Sequence, residues 1–247
     1  MELALMTWPE LDQRLANGAC VMLPTGSTEQ HGPMGLVGTD TICANQVALA
    51  AAEICDGIVA PPLAYTPAPF NTAFPGTVSL AADLFEQVLL QFCQGLLGQG
   101  FRGVFIVNGH GANLEPARAV AAACPAGAIH IQSWWDPAPV AELRRTMFGD
   151  WEGMHATPSE VAITQVFHGV RPQGQAAEPP RKLSAEYIKA HSGDRHGPPE
   201  AHRRQFPDGR VGSHSALATP AIGQKLLQAA SQALAEDFQQ FSASRLT

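Results

Sequence analysis

Residues 103–113 read Gly-Val-Phe-Ile-Val-Asn-Gly-His-Gly-Ala-Asn, a short apolar run that ends in a glycine-rich turn carrying a histidine. An apolar run of this length, closed by turn residues, is typical of a strand buried on both faces of a parallel sheet. The chain has four such runs, and each predicts one buried strand. They are Val21 to Leu23, Ile58 to Ala60, Gly103 to Val107 and Ala128 to Ile131.

Stretches rich in Ala, Leu, Gln and Val separate the strands and are long enough for helices that cross back over the sheet. Alternating strands and helices predict an α/β fold with a mainly parallel central sheet. The predicted helices cover Asp40 to Cys55, Ala81 to Leu97, Asn113 to Ala123, Pro158 to His168 and Pro220 to Phe241.

The whole chain of 247 residues, with 45% hydrophobic and 15% charged residues, is predicted to form a single domain over 1–247. Residues 169–220, called the flap below, are rich in Pro, Gly, Arg and His. An insertion of this length is predicted to act as a functional flap or as an oligomer arm. Its His196, His202 and His214 are interpreted as solvated loop residues, with a lid over the pocket as the alternative, and they are not assigned to the site.

The net charge of the chain argues against some classes of binding partner. There are 15 Lys and Arg against 22 Asp and Glu, a net charge of −7, which argues against nucleic acid and anionic membranes as partners. No apolar stretch reaches the length that spans a bilayer, and the N-terminus lacks a signal-peptide pattern. The five cysteines form no CxxC pair and suit a reducing compartment, so we expect a cytoplasmic protein.

The loops that follow the predicted strands carry side chains that bind metals. Glu29 and His31 are two residues apart, so in an extended segment both project to the same side. Asp40 opens the next helix, His110 stands at the tip of the third strand, and Glu160 lies in the first turn of a later helix. Ligands of parallel sheets bind beyond the carboxyl ends of the strands, so these five side chains are predicted to meet.

The charges of this set suit a pair of divalent cations. Three carboxylates and one shared hydroxide balance the four positive charges of two such ions, as a partly buried pocket requires. Oxygen and nitrogen donors without a thiolate fit Zn²⁺ or Mn²⁺. The sequence therefore predicts a metal hydrolase. It contains no glycine-rich phosphate cradle, so no organic cofactor is expected.

Two further positions are candidates for catalysis and substrate binding. His155, with an ordinary pKa near 6.5, is the candidate general acid, and the alternative is a histidine that hydrogen-bonds to the backbone at a helix start. Trp134 and Trp135 follow the fourth strand and are candidates for the wall of a substrate cavity. The alternative for these tryptophans is packing in the core or in an interface.

Four motifs, in order, resemble those of the creatininase, or creatinine amidohydrolase, family. The resemblance implies a three-layer α/β/α fold, a binuclear amidohydrolase site with Zn²⁺ and/or Mn²⁺ or with Fe²⁺, and a homo-oligomer, often a hexamer. The motifs are residues 26–33 (Gly-Ser-Thr-Glu-Gln-His-Gly-Pro), 38–41 (Gly-Thr-Asp-Thr), 108–113 (Asn-Gly-His-Gly-x-Asn) and 155–160 (His-Ala-x-x-x-Glu).

Motif positions also imply roles. By resemblance, Glu29 and His110 hold one metal, His31 and Glu160 hold the other, and Asp40 bridges them.

The resemblance places His155 in the family's proton-shuttling position, and Glu160 is counted with it as catalytic. One position departs from the pattern of creatininase proper, which carries a Glu two residues after the His of its Asn-Gly-His motif. This chain has Ala112 there, which argues against creatinine as the substrate and favours another branch of the family.

The expected reaction is hydrolysis of a C–N bond in a small cyclic or linear amide, a formamide or a ureide, by a hydroxide that the two metals share. Two alternatives stay open. One is metallopeptidase-like cleavage of a small peptide. The other is a non-catalytic binding or assembly protein that keeps the fold.

Overall fold

The computed structural model describes residues 1–245, and its centre is a parallel sheet with the strand order β2-β1-β3-β4. The four predicted strands are confirmed, each within two residues at its ends. Their bounds are Val21–Thr25 for β1, Ile58–Val59 for β2, Val104–Asn108 for β3 and Ile129–Ser133 for β4.

Helices cover both faces of the sheet, and all five predicted helices are present. Four more were not predicted, α1 near the N-terminus, α5 after β4 and the two short flap helices α7 and α8. Nothing within 1–245 combines the length and apolar character that a bilayer-crossing helix needs. The bounds are Trp8–Ala16 (α1), Thr39–Cys55 (α2), Ala82–Gly98 (α3), Leu114–Ala123 (α4), Ala138–Phe148 (α5), Pro158–His168 (α6), Ala185–Ala190 (α7), Pro199–Gln205 (α8) and Pro220–Ser244 (α9).

Each central strand contributes side chains to two separate cores, one on each face. In β1, Met22 faces the core formed with α2, α6 and α9, whereas Leu23 faces the core formed with α3 and α4. In β3, Phe105 and Ile106 divide in the same way. Because successive side chains of a strand point to opposite faces, this division places the sheet between two helical layers. The expected α/β/α fold is confirmed.

The register of the strands aligns the ends that lead to the candidate site. Thr25 of β1 pairs with Asn108 of β3, and Asn108 pairs with Ser133 of β4. The loops that follow these three residues therefore start side by side at one edge of the sheet. This edge receives the motif of residues 26–33, His110 and the two tryptophans.

The flap contains short helices, α7 and α8, and its last part is tied to the site. The backbone N–H of Val211 donates to the carbonyl of His155 at 3.2 Å, and the N–H of Met154 donates to the carbonyl of Val211 at 2.9 Å. The Gln30 side chain donates to the carbonyl of Gly209 at 2.9 Å. The end of the flap thus lies directly against the motifs that carry the candidate ligands.

Helices α6 and α9 approach each other closely because Gly223 has no side chain. A Cβ at Gly223 would overlap the carbonyl oxygen of Ala162 in α6. Gly95, on the exposed side of α3, has open space around the position of a Cβ. The two glycines thus form a matched pair, one required by packing and one not.

We expect Gly223→Ala to lower the free energy of unfolding by about 1–3 kcal/mol, because the added methyl group has no room. Gly95→Ala is expected to raise it by up to about 1 kcal/mol through helix propensity. Chemical denaturation of both variants measures these changes, and an equal effect of the two substitutions would contradict the packing argument.

Candidate metal centre

The loops at the carboxyl edge of the sheet bring the five predicted ligands together. Glu29, Asp40 and His110 form one group whose donor atoms lie within 4.8 Å of one another, and His31, Asp40 and Glu160 form a second. All five are buried except Glu160, which is half-buried. Asp40 belongs to both groups, as the resemblance implies for a bridging ligand.

Asp40 offers one carboxylate oxygen to each group. Its Oδ1 lies 2.9 Å from Nε2 of His31, and its Oδ2 lies 3.1 Å from Nδ1 of His110. The Ser27 hydroxyl donates to Oδ2 at 2.7 Å and fixes the rotation of the carboxylate. Asp40 stands in the first turn of α2, where the helix dipole favours negative charge.

The two imidazoles are oriented by backbone carbonyls. Nδ1 of His31 donates to the carbonyl of Glu29 at 3.1 Å, and Nε2 of His110 donates to the carbonyl of Pro67 at 2.8 Å. A carbonyl only accepts, so these contacts place a hydrogen on the outer nitrogen of each ring. The other nitrogen of each ring, Nε2 of His31 and Nδ1 of His110, faces Asp40. Metal-ligating histidines are commonly held in this way.

Glu29 provides a buried acceptor that the protein does not satisfy. Its Oε2 accepts a hydrogen bond from the Asn71 amide at 2.7 Å, whereas its Oε1, 3.0 Å from Nδ1 of His110, has no hydrogen-bond partner among the described residues. Burial acts to raise the pKa of Glu29, but His110 and His155 lower it below the ordinary value. A buried anionic oxygen left free beside an imidazole is what a cation site requires.

Glu160 enters the site from the first turn of α6. Its Oε1 accepts a hydrogen bond from the backbone N–H of Thr157 at 2.6 Å and lies 3.7 Å from Nε2 of His31. Burial raises the pKa of Glu160 to about 8, against the opposing effect of His31. This carboxyl therefore needs a nearby positive charge in order to ionise at neutral pH.

The surroundings of His31 show the same excess of negative charge. Burial acts to lower the pKa of this imidazole, but Asp40 and Glu160 outweigh burial and raise the pKa to about 10. Asp40 and Glu160 thus surround His31 with negative charge, which a bound cation would balance.

A glycine allows β3 and α2 to meet at the centre. A Cβ at Gly109 would overlap the backbone carbonyl oxygen of Asp40, so only glycine lets the end of β3 lie against the first turn of α2. This close approach brings His110, the next residue, to the Asp40 side chain. Gly109, the first glycine of the motif at 108–113, is therefore required because a side chain would not fit there.

His155 makes the backbone hydrogen bond of one alternative, and its role as general acid stays a prediction. Its Nε2 donates to the carbonyl of Gln30 at 2.6 Å, and its Nδ1 lies 4.0 Å from Oε1 of Glu29. Its ring also lies 4.4 Å from that of His31, and burial, followed by the charge of His31, lowers the pKa of His155 to about 4. His155 forms a third group of possible donors with Glu29 and His31.

A cavity of about 210 Å³ opens beside the cluster. The two predicted tryptophans line it together with His155, Glu160 and Asp194. Trp134 is 2% exposed, and its indole N–H has no hydrogen-bond partner among residues 1–245. Trp135 is half-buried and packs edge-on against Trp134.

Several residues at the site were not predicted from the sequence. Asn71 holds Glu29, and Asp194 reaches the cluster from the flap, with Oδ2 3.7 Å from Nδ1 of His110. His196 and His202 pack on Phe70 with ring centroids 4.6 and 5.1 Å away.

The interpretation of these two histidines as solvated loop residues is therefore wrong. Burial lowers the pKa of His196 to about 3 and that of His202 to about 4, so both are neutral rings that serve as packing surface. Nothing local in the sequence separates them from solvated histidines, because their burial depends on how the flap folds back over Phe70.

Comparison with known proteins assigns the family. A family model described as creatininase, creatinine amidohydrolase, matches residues 4–238. The chain belongs to the creatininase family. The resemblance seen in the four motifs is confirmed.

The relatives within the creatininase family carry different names. The chain is 41% identical over 108 residues to the "Mycofactocin precursor peptide peptidase" of Mycolicibacterium smegmatis, an alignment covering 41% of this chain and 43% of the relative. It is 34% identical over 107 residues to the "3-dehydro-scyllo-inosose hydrolase" of Thermotoga maritima, covering 43% of this chain and 34% of the relative. The chain thus covers less than half the length of each, and these relatives are branches other than creatininase proper.

The fold of the creatininase family extends along the whole chain. A solved structure named "Creatininase Mn" superimposes with a TM-score of 0.74 at 22% sequence identity, covering 97% of both chains. At this level of identity the likeness concerns the fold.

We expect Asn71→Ala to weaken metal binding by about 10–100-fold, because Glu29 loses the amide that orients its carboxylate. Competition with a chromophoric chelator measures this affinity. Asn17→Ala, which removes an exposed asparagine that bonds only to its own helix, serves as the control and should bind metal as the parent does. Equal affinity of all three proteins would contradict the orienting role of Asn71.

Proposed function

We propose that this protein is a binuclear metal-dependent amidohydrolase that cleaves a C–N amide-type bond. Glu29, Asp40 and His110 would hold one cation, and His31, Asp40 and Glu160 would hold the other. One observation supports this most strongly. Two imidazoles, each anchored on a backbone carbonyl, direct their remaining nitrogens to opposite oxygens of the same buried carboxylate.

The types of donor atom favour certain divalent cations. Imidazole nitrogens and carboxylate oxygens without thiolates suit Zn²⁺, Mn²⁺ or Fe²⁺. Bound divalent cations supply a water of lowered pKa and polarise the carbonyl of a substrate. The related structure named for Mn agrees with the Mn²⁺ choice.

Residues around the proposed cation sites hold the donor side chains in place. The Ser27 hydroxyl and the Asn71 amide hold the carboxylates of Asp40 and Glu29 in fixed rotations, so the donors are preorganised before substrate arrives. The backbone N–H of Thr157 donates to the carboxylate of Glu160 and fixes it in place. Glu160 supplies the second carboxylate, besides Asp40, of the site that includes His31.

His155 is the candidate for moving a proton to the leaving nitrogen. Its Nε2–H is engaged by the carbonyl of Gln30, so Nδ1 is the atom that can accept a proton. Nδ1 lies on the side of Glu29, and His155 also lines the cavity. We propose that Nδ1 takes a proton from the attacking water and delivers it to the nitrogen as the C–N bond breaks.

The two tryptophans would bind the substrate. Trp134 and Trp135 give the cavity a flat apolar wall. A cavity of about 210 Å³ suits the reacting part of a small cyclic or linear amide, formamide or ureide.

Cleavage of a small peptide is the second candidate. The mycobacterial relative named as a peptide peptidase favours it. A groove of about 570 Å³ adjoins the cavity, sharing Gly111, Gly193 and Asp194 as lining residues, and it has room for flanking residues of a peptide. Parallel assays with small amides, lactams, formamides and ureides and with short peptides, using Mn²⁺- and Zn²⁺-loaded protein, distinguish the two candidates.

Cytoplasmic location and a homo-oligomeric, hexameric state stay predictions of the sequence, and so does the single domain with a functional flap. Size-exclusion chromatography with light scattering tests the oligomeric state directly.

We expect the parent protein, purified without chelators, to contain two divalent cations per chain, and Asp40→Asn to contain at most one and to lose hydrolytic activity. Asparagine keeps the shape of the bridge but removes its charge. Glu53→Gln, an equivalent change at an exposed position of the same helix, is the control. Parent protein without bound metal, or an active Asp40→Asn variant, would refute the proposal.

We expect His155→Gln to lower kcat by about 10²–10⁴-fold while metal content stays at the parent level, because only proton transfer is lost. His168→Gln, at the exposed end of α6, should behave as the parent. Steady-state kinetics with metal analysis measures both quantities. Loss of metal from His155→Gln would instead assign the residue to the cluster as a ligand.

A further inference from the structure

Asp194 is a buried carboxylate that the flap places at the metal centre. Its side chain is 11% exposed, and its Oδ2 lies 3.7 Å from Nδ1 of His110. This is the same ring nitrogen that lies 3.0 Å from Glu29 and 3.1 Å from Asp40. Three carboxylates from three separate segments therefore surround one imidazole nitrogen.

The protein balances the charge of Asp194 only in part, through His110 and the backbone N–H of Ala112. Within residues 1–245, its ion-pair contacts are with imidazoles, His110 and, at 3.9 Å, His196, and neither Lys nor Arg lies within reach. Nearby Glu29 and Asp40 repel its charge. A buried carboxylate in such surroundings is costly unless a cation joins it. Independently, Oε1 of Glu29 is fully buried without a hydrogen-bond partner and faces the same nitrogen.

A left-handed backbone conformation holds Asp194 in this position. Asp194 has φ of 56° and follows Gly193 with φ of 74°, so the chain turns sharply towards the cluster. Aspartate tolerates the left-handed region better than most residues, but the conformation still requires support from its surroundings.

Gly111, the second glycine of the Asn-Gly-His-Gly motif, leaves room for the carboxylate of Asp194. A Cβ at Gly111 would overlap Oδ2 of Asp194, and its other neighbours would be Cγ of Asp194 and Cα of Gly193. Glycine at 111 thus leaves room for the Asp194 side chain of the flap.

The separation of Asp194 from His110 places its carboxylate just outside the set of donors. Its Oδ2 lies 3.7 Å from Nδ1 of His110, but Asp194 belongs to none of the groups whose donor atoms all lie within 4.8 Å of one another. At this distance the carboxylate acts on a cation through its charge and on the ligands through their orientation.

We propose that the carboxylate of Asp194 stabilises, from the flap side, the cation held by Glu29, Asp40 and His110, and that metal loading therefore holds the flap closed over the site. This inference rests on the proposed metal centre. It assigns the flap a role that the four motifs do not include. Because binding that requires the closed flap stabilises it, the order of the flap and the affinity for metal are thermodynamically linked.

Metal affinity provides the first test. Metal-free protein is titrated with Mn²⁺ in competition with a chromophoric chelator. Asp194→Asn is expected to bind one of the two ions about 10–100-fold more weakly than the parent, with the other unchanged. Glu200→Gln removes the same charge from an exposed position of the flap and should match the parent.

A second variant keeps Asp194 but displaces it. Gly111→Ala retains every carboxylate, and its methyl group would overlap Oδ2 of Asp194, so we expect it to weaken the binding of the same ion as Asp194→Asn does. This result would show that the position of Asp194 matters, beyond its contribution to net charge.

Limited trypsin digestion reports the state of the flap without reference to activity. Arg195 is exposed and follows Asp194 directly, so cleavage after it probes the segment of interest. Added Mn²⁺ is expected to slow this cleavage in the parent and in Glu200→Gln, and to leave it unchanged in Asp194→Asn.

The outcomes separate this inference from the proposed function. If the parent binds two ions and Asp194→Asn shows the same affinities and the same protection from trypsin, the role of Asp194 is refuted while the metal centre stands. If the parent binds no divalent cation, the proposed function fails and the inference fails with it.

Discussion

The carboxylate of Asp40, buried in the first turn of α2, is the group on which the rest of the site depends. Its two oxygens face two imidazoles that come from different loops, and each imidazole is fixed from behind by a backbone carbonyl. Such a group can remain charged inside the protein only if positive charge is held on both sides of it. The alignment of β1, β3 and β4 and the close approach at Gly109 bring the loops that carry the two imidazoles next to Asp40.

Much of this arrangement could be predicted from the sequence because it depends on local patterns. Short apolar runs closed by turn residues located all four strands, and strand-end loops rich in Glu, Asp and His located the donors. Four helices were overlooked, α1, α5 and the two short flap helices α7 and α8. A Thr-x-x-Glu capping box at Thr7 and Glu10 was an available signal for α1, whereas α5, with mixed polar and apolar residues, had no comparably strong signal. Strand ends shifted by one or two residues because hydrogen bonding, and not polarity, sets them.

The contributions of the flap could not be predicted in the same way. Asp194 is far in sequence from every ligand motif, and its place beside His110 follows from a backbone turn and from the space at Gly111. His196 and His202 have the composition of a solvated loop but are buried, because Phe70 offers them an aromatic surface next to the site. Contacts of this kind arise only when distant segments fold together, so no local pattern encodes them.

Magnetic resonance of the Mn²⁺-loaded protein tests the central claim most directly. Two Mn²⁺ ions that share the Asp40 carboxylate would lie about 3.5–4 Å apart and be magnetically coupled. The account predicts that metal-free protein given two equivalents of Mn²⁺ shows the multiline spectrum of a coupled pair, reaching its maximum at two ions per chain. Saturation at one ion, or the six-line signal of isolated Mn²⁺ at two ions per chain, would contradict it.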